Sequence, residues 1–230
     1  MAVALITGAS RGLGRALART LAARNWALVL DARGAPDLDT VARELSGWTR
    51  VVALAGDVAD PQHRAALAAA AVGLGTVDLL VNNASVLGPS PQPALADYPL
   101  DEFSRVYDVN VVAPLGLTQL LLPALTEAGG RIVNVSSDAA VEPYPGWGGY
   151  GSAKAALDQV SAVLAAERPD LPVYRFDPGD MRTDLHQQAF PGEDISDRPE
   201  PETVVPALLR LIDGDLPSGR YRVADLAVPA

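Results

Sequence analysis

The stretch VALITGASRGLG, residues 3–14, joins a short apolar run to a glycine-rich turn and then to an amphipathic segment. Its three glycines, Gly8, Gly12 and Gly14, allow a tight turn, a close approach to an anion and close packing of a helix on a sheet. The first amide groups of the following helix would face that anion. A lone glycine-rich turn is often merely structural, but at a first β–α junction it indicates a dinucleotide-binding site.

Apolar runs of the same kind recur along the chain, at residues 3–7, 26–30, 50–55, 79–82, 131–136 and 173–177. Helical patterns alternate with them, at residues 13–24, 38–45, 61–72, 100–125, 150–167 and 201–212. Nearly continuous apolar runs are typical of parallel strands buried on both faces. The sequence therefore predicts an α/β fold, a single-domain Rossmann-type doubly wound parallel sheet over residues 1–230 with helices on both faces. Polar residues with proline and glycine at about 184–200 interrupt the alternation and predict a substrate lid.

Composition excludes several classes of function. The 230-residue chain carries a formal net charge of -10, which argues against nucleic-acid or anionic membrane partners. It has no cysteine, so disulfide and thiolate chemistry are excluded. No purely apolar run reaches the ~18 residues of a membrane helix. His63 and His186 belong to no metal pattern and are expected to be solvated. We therefore expect a cytoplasmic protein without a metal site.

The end of the second strand reads LVLDARG, residues 28–34, and offers two opposed signals. An acidic residue at this place, here Asp31, binds the ribose 2′-hydroxyl of NAD, whereas a nearby arginine accommodates the 2′-phosphate of NADP. Arg33 and Arg11 suit a phosphate dianion. The sequence predicts NADP(H) as the preferred cofactor, with NAD(H) as the alternative; exposed arginines without a ligand would look the same.

The stretch GGYGSAKAALDQV, residues 148–160, contains the only lysine of the chain, beside 17 arginines. Tyr150 and Lys154 are spaced i, i+4, so both project from one face of a helix. A phenol ordinarily titrates near ~10, and a nearby ammonium is expected to lower that pKa. The pair therefore indicates acid–base catalysis, although an ordinary surface lysine remains the alternative.

With these motifs the chain resembles the short-chain dehydrogenase/reductase family along nearly its whole length. Thr7–Gly14 is similar to the family's cofactor turn, and the stretch AGDVAD, residues 55–60, contains the pair that contacts adenine. NNAS at residues 82–85 resembles NNAG, with Ser85 in place of glycine, and DPGDMRT at residues 177–183 resembles the element beside the nicotinamide. The resemblance implies cofactor contacts from Gly8, Ser10, Arg11, Gly12, Leu13, Gly14, Arg33, Asp57, Val58, Asn83, Ala84, Tyr150, Lys154, Pro178, Gly179, Met181 and Thr183.

The resemblance also implies a catalytic tetrad. Ser137 precedes Tyr150 by the family's spacing, and Asn110 matches the family's helix asparagine. In this reading Tyr150 exchanges the proton, Ser137 binds the substrate oxygen, Lys154 lowers the tyrosine pKa and holds the ribose, and Asn110 anchors a water that relays protons through Lys154.

Two classes of function follow from these residues. The first is an NADP(H)-dependent oxidoreductase that interconverts a small-molecule carbonyl and an alcohol by hydride transfer. The second is an NAD(P)-binding regulatory or redox-sensing module with little catalysis, against which an intact tetrad argues. The resemblance further implies a homodimer or homotetramer in which the helices over residues 100–125 and 150–167 pack against a symmetry mate, and the apolar surface of residues 150–167 supports this.

Overall fold

A computed structural model describes residues 1–226, and the last four residues of the predicted domain lie outside that description. The described residues form one sheet of seven parallel strands in the order β3-β2-β1-β4-β5-β6-β7. The strands are β1 Val3–Ile6, β2 Ala27–Ala32, β3 Val51–Ala55, β4 Val77–Asn82, β5 Arg131–Val135, β6 Val173–Asp177 and β7 Gly219–Arg222. The predicted doubly wound α/β class is confirmed.

Helices alternate with the strands on both faces of the sheet. They are α1 Gly12–Ala23, α2 Ala35–Leu45, α3 Pro61–Leu74, α4 Leu100–Tyr107, α5 Ala113–Ala128, α6 Gly148–Glu167, α7 Asp184–Ala189 and α8 Val205–Asp213. Short 3₁₀ turns lie at Leu95–Asp97, Asp138–Ala140, Pro201–Thr203 and Val223–Leu226, and a π-helical turn lies at Asp108–Val112.

Two apolar cores explain why the strand sequences are continuously apolar. Ala4 and Ile6 of β1 belong to the core beneath α1, α2 and α8, while Leu5 between them belongs to the core beneath α3 and α5. Successive side chains of a strand point to opposite faces, so a strand covered on both faces needs an apolar residue at every position.

The structure differs from the predicted elements in three places. Strand β7 was missed, because its sequence GRYR has no apolar run. The predicted helix over residues 100–125 is divided by the π-helical turn. The predicted helix over residues 201–212 starts with a 3₁₀ turn, and α8 begins only at Val205, because Pro206 is tolerated in the first turn of a helix but not in its interior.

The combined segment Leu100–Ala128 is 29 residues long and is long and apolar enough to cross a membrane by length and composition. The expectation that no apolar run is as long as a membrane helix is therefore wrong for this segment. Half of its most apolar stretch is buried inside the protein, where α5 packs on β4 and α3. Packing on the sheet accounts for this apolar character.

The strand order places a crevice at the middle of the sheet. Connections run from β1 towards β2 and β3 on one side and return to β4 on the other, so the direction reverses between β1 and β4. Loops that leave the carboxyl ends of these two strands move apart and open a binding crevice at this point.

Candidate active site

A cavity of about 1140 Å³ lies at the carboxyl ends of the strands. Its walls contain all the residues predicted to bind the cofactor except Gly14, and three of the four predicted catalytic residues, Ser137, Tyr150 and Lys154. Asn110 is buried nearby. The tertiary structure thus gathers at one crevice residues that are spread over most of the chain.

The glycine turn is built for close backbone approach. Gly8 has a φ of 65° and Gly12 a φ of 55°, a region that favours glycine. A Cβ atom on Gly14 would collide with the Gly8 carbonyl oxygen and would lie 2.7 Å from the Asn83 side-chain nitrogen. The cradle therefore exists only because these positions carry no side chain, and it fits a pyrophosphate at the start of α1.

Asn83 supports this turn from the neighbouring strand. Its amide nitrogen donates to the carbonyl oxygens of Thr7 and Gly8 at 2.9 and 3.0 Å. The Thr7 hydroxyl accepts hydrogen bonds from the backbone N–H groups of Asn83 and Ala84, both at 3.0 Å. The side chain of Asn83 therefore links the end of β4 to the glycine turn, and its predicted contact with the cofactor falls to its backbone.

The predicted 2′-phosphate ligands have different surroundings. Arg33 is exposed at the cavity wall and forms no ion pair within residues 1–226. The Arg11 guanidinium lies 2.5 Å from the Asp184 carboxylate at the start of α7. Both partners of that pair are largely exposed, so the pair is weak and a phosphate could replace the carboxylate.

Asp57 is held in place for the adenine end of the site. It accepts a hydrogen bond from the Ala59 backbone N–H at 2.9 Å and forms an ion pair with Arg105 of α4. Although burial raises the pKa of Asp57, the Ala59 and Arg105 hydrogen bonds outweigh this and hold the pKa below its usual value. The carboxylate therefore stays ionised beside Val58 at the wall.

His63 and His186 were predicted to be solvated, and both predictions are wrong. Each side chain is only 10% exposed. His63 Nε2 lies 2.7 Å from Asp31 Oδ1, and the His186 ring packs on Phe190 with 4.8 Å between centroids. Asp31 lies in another segment of the chain, so motif spacing could not predict the burial of His63, whereas Phe190 directly follows α7, four residues after His186.

Helix α6 presents Tyr150 and Lys154 to the cavity from one face, as the i, i+4 spacing predicts. Both side chains are buried, with Tyr150 at 6% and Lys154 at 2% exposure. Lys154 Nζ donates to the Val135 carbonyl oxygen at 2.7 Å and lies 5.5 Å from the centre of the Tyr150 ring. The lysine is thus fixed between the catalytic helix and the end of β5.

The two pKa values shift in opposite directions. Burial raises the pKa of Tyr150 to about 12, against hydrogen bonds with Ser137 and Ser85. Burial also lowers the pKa of Lys154 to about 8, while the Asp158 carboxylate opposes that change. The expectation that Lys154 lowers the tyrosine pKa is not met in this structure, because loss of hydration disfavours both charged forms.

Ser137 lies where β5 ends, and it begins the 3₁₀ turn Asp138–Ala140. Its hydroxyl accepts a hydrogen bond from the Ala139 backbone N–H at 3.2 Å and donates to Asp138 Oδ1 at 2.9 Å. It also lies close enough to the Tyr150 phenol to lower the pKa of that group. The neighbouring Ser136 is buried, and within residues 1–226 its hydroxyl has no hydrogen-bond partner.

Asn110 lies within the π-helical turn and is 1% exposed. Its side-chain oxygen accepts from the Val86 backbone N–H at 3.0 Å and from the Ser85 hydroxyl at 3.1 Å, and its nitrogen donates to the Val86 carbonyl at 2.9 Å. These bonds use both acceptor positions of the side-chain oxygen and one of the two N–H donors, so a single N–H remains for the expected water. They also fix the loop that carries Ser85.

Ser85 was treated only as a departure from the family pattern, and its contribution to the site was missed. Its hydroxyl donates to Asn110 Oδ1 at 3.1 Å and lies close enough to the Tyr150 phenol to lower the pKa of that group. Where the family pattern has glycine, the side chain of Ser85 thus adds a second serine hydroxyl beside the phenol. Such a contact depends on how β4 and α6 approach each other, which the chain order does not reveal.

A second missed group is Arg220 of β7. Its guanidinium donates to Asp158 Oδ2 at 3.1 Å, to Asp177 Oδ2 at 2.9 Å and to the Ser137 carbonyl oxygen at 2.9 Å. It therefore ties the catalytic helix, the end of β6 and the turn that carries Ser137 to the edge strand. Since β7 itself was missed, its arginine could not be assigned.

The segment after β6 closes the cavity on the nicotinamide side. Asp177 Oδ1 accepts from the Gly179 backbone N–H at 3.0 Å, and Gly179 has a φ of 69°. The Thr183 hydroxyl caps α7 by accepting from the His186 backbone N–H at 3.2 Å. Pro178 and Met181 line the same wall.

The predicted lid at 184–200 begins with α7 and lies over Tyr150. Trp147 stands between them, with ring centroids 5.8 Å from Tyr150 and 5.9 Å from Phe190. Leu185 and Ala189 of α7 complete an apolar wall with Leu87.

Known proteins share both this sequence and this fold. The family model for short chain dehydrogenases matches residues 2–194. Mouse sepiapterin reductase is 35% identical over 202 residues, which cover 82% of this chain and 77% of the relative. A short chain dehydrogenase of Penicillium thymicola is 37% identical over 172 residues, 70% of this chain, and the match spans less than two thirds of that relative, 61% of its length.

Among solved structures, an alcohol dehydrogenase from the archaeon Thermococcus sibiricus, complexed with 5-hydroxy-NADP, superposes with a TM-score of 0.87 at 28% identity. The superposition covers 96% of each chain. With the family model matched over most of the sequence and the sheet order and site in agreement, the chain belongs to the short-chain dehydrogenase family of oxidoreductases.

Proposed function

We propose that the protein is an NADP(H)-dependent oxidoreductase that interconverts a ketone or aldehyde and the corresponding alcohol. The observation that carries the proposal is the buried Tyr150 phenol beside the Ser137 and Ser85 hydroxyls, both of which act to lower its pKa, with the buried Lys154 on the same helical face. An arrangement of one acid and two hydroxyl groups in a crevice suits a carbonyl oxygen that gains a proton.

The cofactor assignment is supported by the cradle at the first β–α junction and by an exposed arginine after β2. Side chains on Gly8 and Gly14 would collide with Ala84, Asn83 and the Gly8 carbonyl, so the turn requires glycine at both positions, and its backbone can approach a pyrophosphate. Arg33 offers a guanidinium to a 2′-phosphate. The Thermococcus relative, which holds 5-hydroxy-NADP, supports the same choice.

The residues divide the chemistry between them. A bound nicotinamide would supply or accept the hydride at the substrate carbon. With a pKa of about 12, Tyr150 keeps its proton at neutral pH and can donate it to the substrate oxygen during reduction. The Ser137 hydroxyl binds that oxygen and orients the carbonyl.

Lys154 has a separate task. One of its N–H groups is directed to the Val135 carbonyl oxygen, and an ammonium has two further donors. These donors suit the hydroxyl groups of a ribose next to the phenol. The lysine thus orients the cofactor beside the proton donor.

The wall around Tyr150 favours an apolar or aromatic carbonyl compound. Trp147, Leu185 and Leu87 surround the phenol, and the Lys154 ammonium on the same helical face is directed to the Val135 carbonyl oxygen. Burial of an apolar group against these side chains would stabilise the complex, while a carboxylate would lose hydration without a partner.

The proposal is tested by turnover of NADPH and NADH with matched panels of aromatic, aliphatic and carboxylated ketones and aldehydes. We expect NADPH oxidation with apolar or aromatic members and much slower oxidation with carboxylated ones. Tight NADPH binding without turnover of any member would instead favour a regulatory or redox-sensing module.

A further inference from the structure

The carboxylate at the end of β2 is tied to a histidine behind it. Asp31 is 1% exposed, and its Oδ1 lies 2.7 Å from His63 Nε2. His63 is the third residue of α3, which follows β3, so the two residues approach each other only because β2 and β3 are neighbours in the sheet. The contact joins a cavity-wall residue to one outside that wall.

The position of the imidazole is determined by the backbone beside it. A Cβ atom on Gly56, which follows β3, would overlap the His63 ring, with only 2.7 Å to Cγ. The ring therefore occupies the space that the glycine leaves. With both side chains almost fully buried, the pair has little freedom to separate.

This contact changes what the acidic residue can do. To bind a ribose 2′-hydroxyl, a carboxylate at this place must offer a free oxygen to the ligand. In this protein one oxygen already accepts the imidazole hydrogen bond and the group is withdrawn from solvent. An ionised carboxylate without such a partner would also repel a phosphate dianion bound beside it.

We propose that His63 is a positioning residue that binds Asp31 and keeps it from the ribose 2′-position, so that the chain prefers a 2′-phosphorylated cofactor despite an aspartate at the end of β2. The inference rests on the proposed function and adds to it a specificity determinant outside the cavity wall. Arg33, two residues further on and exposed, then acts on the phosphate without a competing carboxylate.

Direct binding tests this assignment without any turnover. The dissociation constants of NADPH and NADH are measured by isothermal titration calorimetry for the wild type, His63→Leu, His63→Gln, Asp31→Asn and the double variant His63→Leu with Asp31→Asn. We expect His63→Leu to reduce the preference for NADPH by about tenfold, because the freed carboxylate repels phosphate and accepts from a ribose hydroxyl.

The other variants distinguish positioning from a merely structural role. Glutamine keeps an N–H donor, so His63→Gln should retain most of the wild-type preference, and the double variant should recover the preference that His63→Leu loses. Asp31→Asn alone should leave NADH binding within about twofold, since the carboxylate does not contact the ribose. Asp31→Asn alone therefore still tests the inference if His63→Leu fails to fold.

Two results would overturn the inference: an unchanged NADPH preference in folded His63→Leu, or a tenfold loss of NADH affinity in Asp31→Asn. If the wild type binds neither nucleotide, the proposed function fails instead. Nitrogen chemical shifts of His63 give an independent readout, because a hydrogen bond from Nε2 to a carboxylate requires the proton on that nitrogen.

Discussion

At the scale of single residues, the site depends on two buried ionisable groups whose pKa values are both shifted towards the neutral form. Tyr150 and Lys154 lie in water-excluded surroundings, and loss of hydration is the largest cause of both shifts. A phenol in this state is a proton donor at neutral pH. The lysine next to it gains or loses its proton near pH 8, within the range in which the enzyme can be assayed.

Replacement of Tyr150 by phenylalanine should lower turnover by a factor of about 10²–10⁴, because the proton donor is removed while the ring and its packing remain. NADPH affinity, measured by calorimetry, should stay nearly unchanged. As a matched control, Tyr144→Phe removes an exposed phenol that only reaches Asp138, and its turnover should stay close to that of the wild type. Activity of Tyr150→Phe within tenfold of wild type contradicts the assigned role.

Lys154 should also give the protein a characteristic pH dependence of stability. The folded protein releases this proton near pH 8, whereas the unfolded chain holds it to about 10.5. Between these values the unfolded state binds more protons, so the free energy of unfolding rises with pH, by up to about 1.4 kcal/mol per pH unit. Below pH 8 both states are protonated and the contribution is constant.

Urea unfolding of the wild type and of Lys154→Met between about pH 8 and pH 10 measures this slope. The methionine variant cannot titrate at this position, so its curve should rise less steeply with pH. Parallel curves would mean that Lys154 keeps its ordinary pKa in the fold.

At the scale of elements, the junctions between strands and helices carry the site. The glycine turn joins β1 to α1, the Ser137 turn follows β5, and Arg220 of β7 joins the end of β6 to α6. At each junction a backbone group or a buried charged side chain makes the contact between the elements. A substitution at a junction therefore disturbs more than one element.

Gly14→Ala should weaken binding of both NADPH and NADH by at least tenfold, because the new methyl group collides with the Gly8 carbonyl and with Asn83. Gly34→Ala is the matched control, since a Cβ atom there meets nothing within 4 Å. Calorimetric titration of both variants checks the prediction, which fails if the two alanines have equal effects.

Arg220→Met should destabilise the protein by about 3 kcal/mol, because it leaves the buried Asp158 and Asp177 carboxylates without their shared cation. Arg222→Met on the same strand removes only an exposed pair with Asp225 and should change the unfolding free energy little. Denaturant unfolding separates the two. Equal losses of unfolding free energy in the two variants would show that the buried Arg220 network stabilises the protein no more than the exposed pair does.

At the scale of the whole molecule, apolar side chains remain exposed outside the active site. Val112, Leu115 and Leu120 lie on the π-helical turn and α5, and Val163 lies on α6, with exposures of 36–49%. Exposed apolar side chains of this kind often mark an interface with another protein. These are also the two helical segments that the family resemblance assigns to a symmetric interface.

We therefore expect a homodimer or homotetramer, closed by a two-fold axis. Light scattering at micromolar concentration should give a multiple of the chain mass, and Leu120→Glu combined with Val163→Glu should shift it towards the monomer. Val72→Glu, at an exposed valine on α3, is the control that should leave the mass unchanged. A monomeric wild type at this concentration would contradict the expected homodimer or homotetramer.

Much of the architecture could be predicted from local pattern. The continuously apolar runs predicted six of the seven strands, and the glycine turn and the Tyr150–Lys154 spacing predicted the crevice and one catalytic face. Both rest on periodicity or on backbone geometry, which neighbouring residues determine. Strand β7 was missed because an edge strand with the sequence GRYR has no buried run of its own.

The tertiary structure alone decided the partners of the buried polar groups. Asp31 meets His63, Ser85 meets Tyr150, and Arg220 meets two carboxylates, in each case across segments distant in the chain. The direction of the Tyr150 pKa shift was also decided there, because it depends on hydration that neighbouring elements remove. Local sequence determines which element forms, whereas contacts and burial arise only when the elements pack.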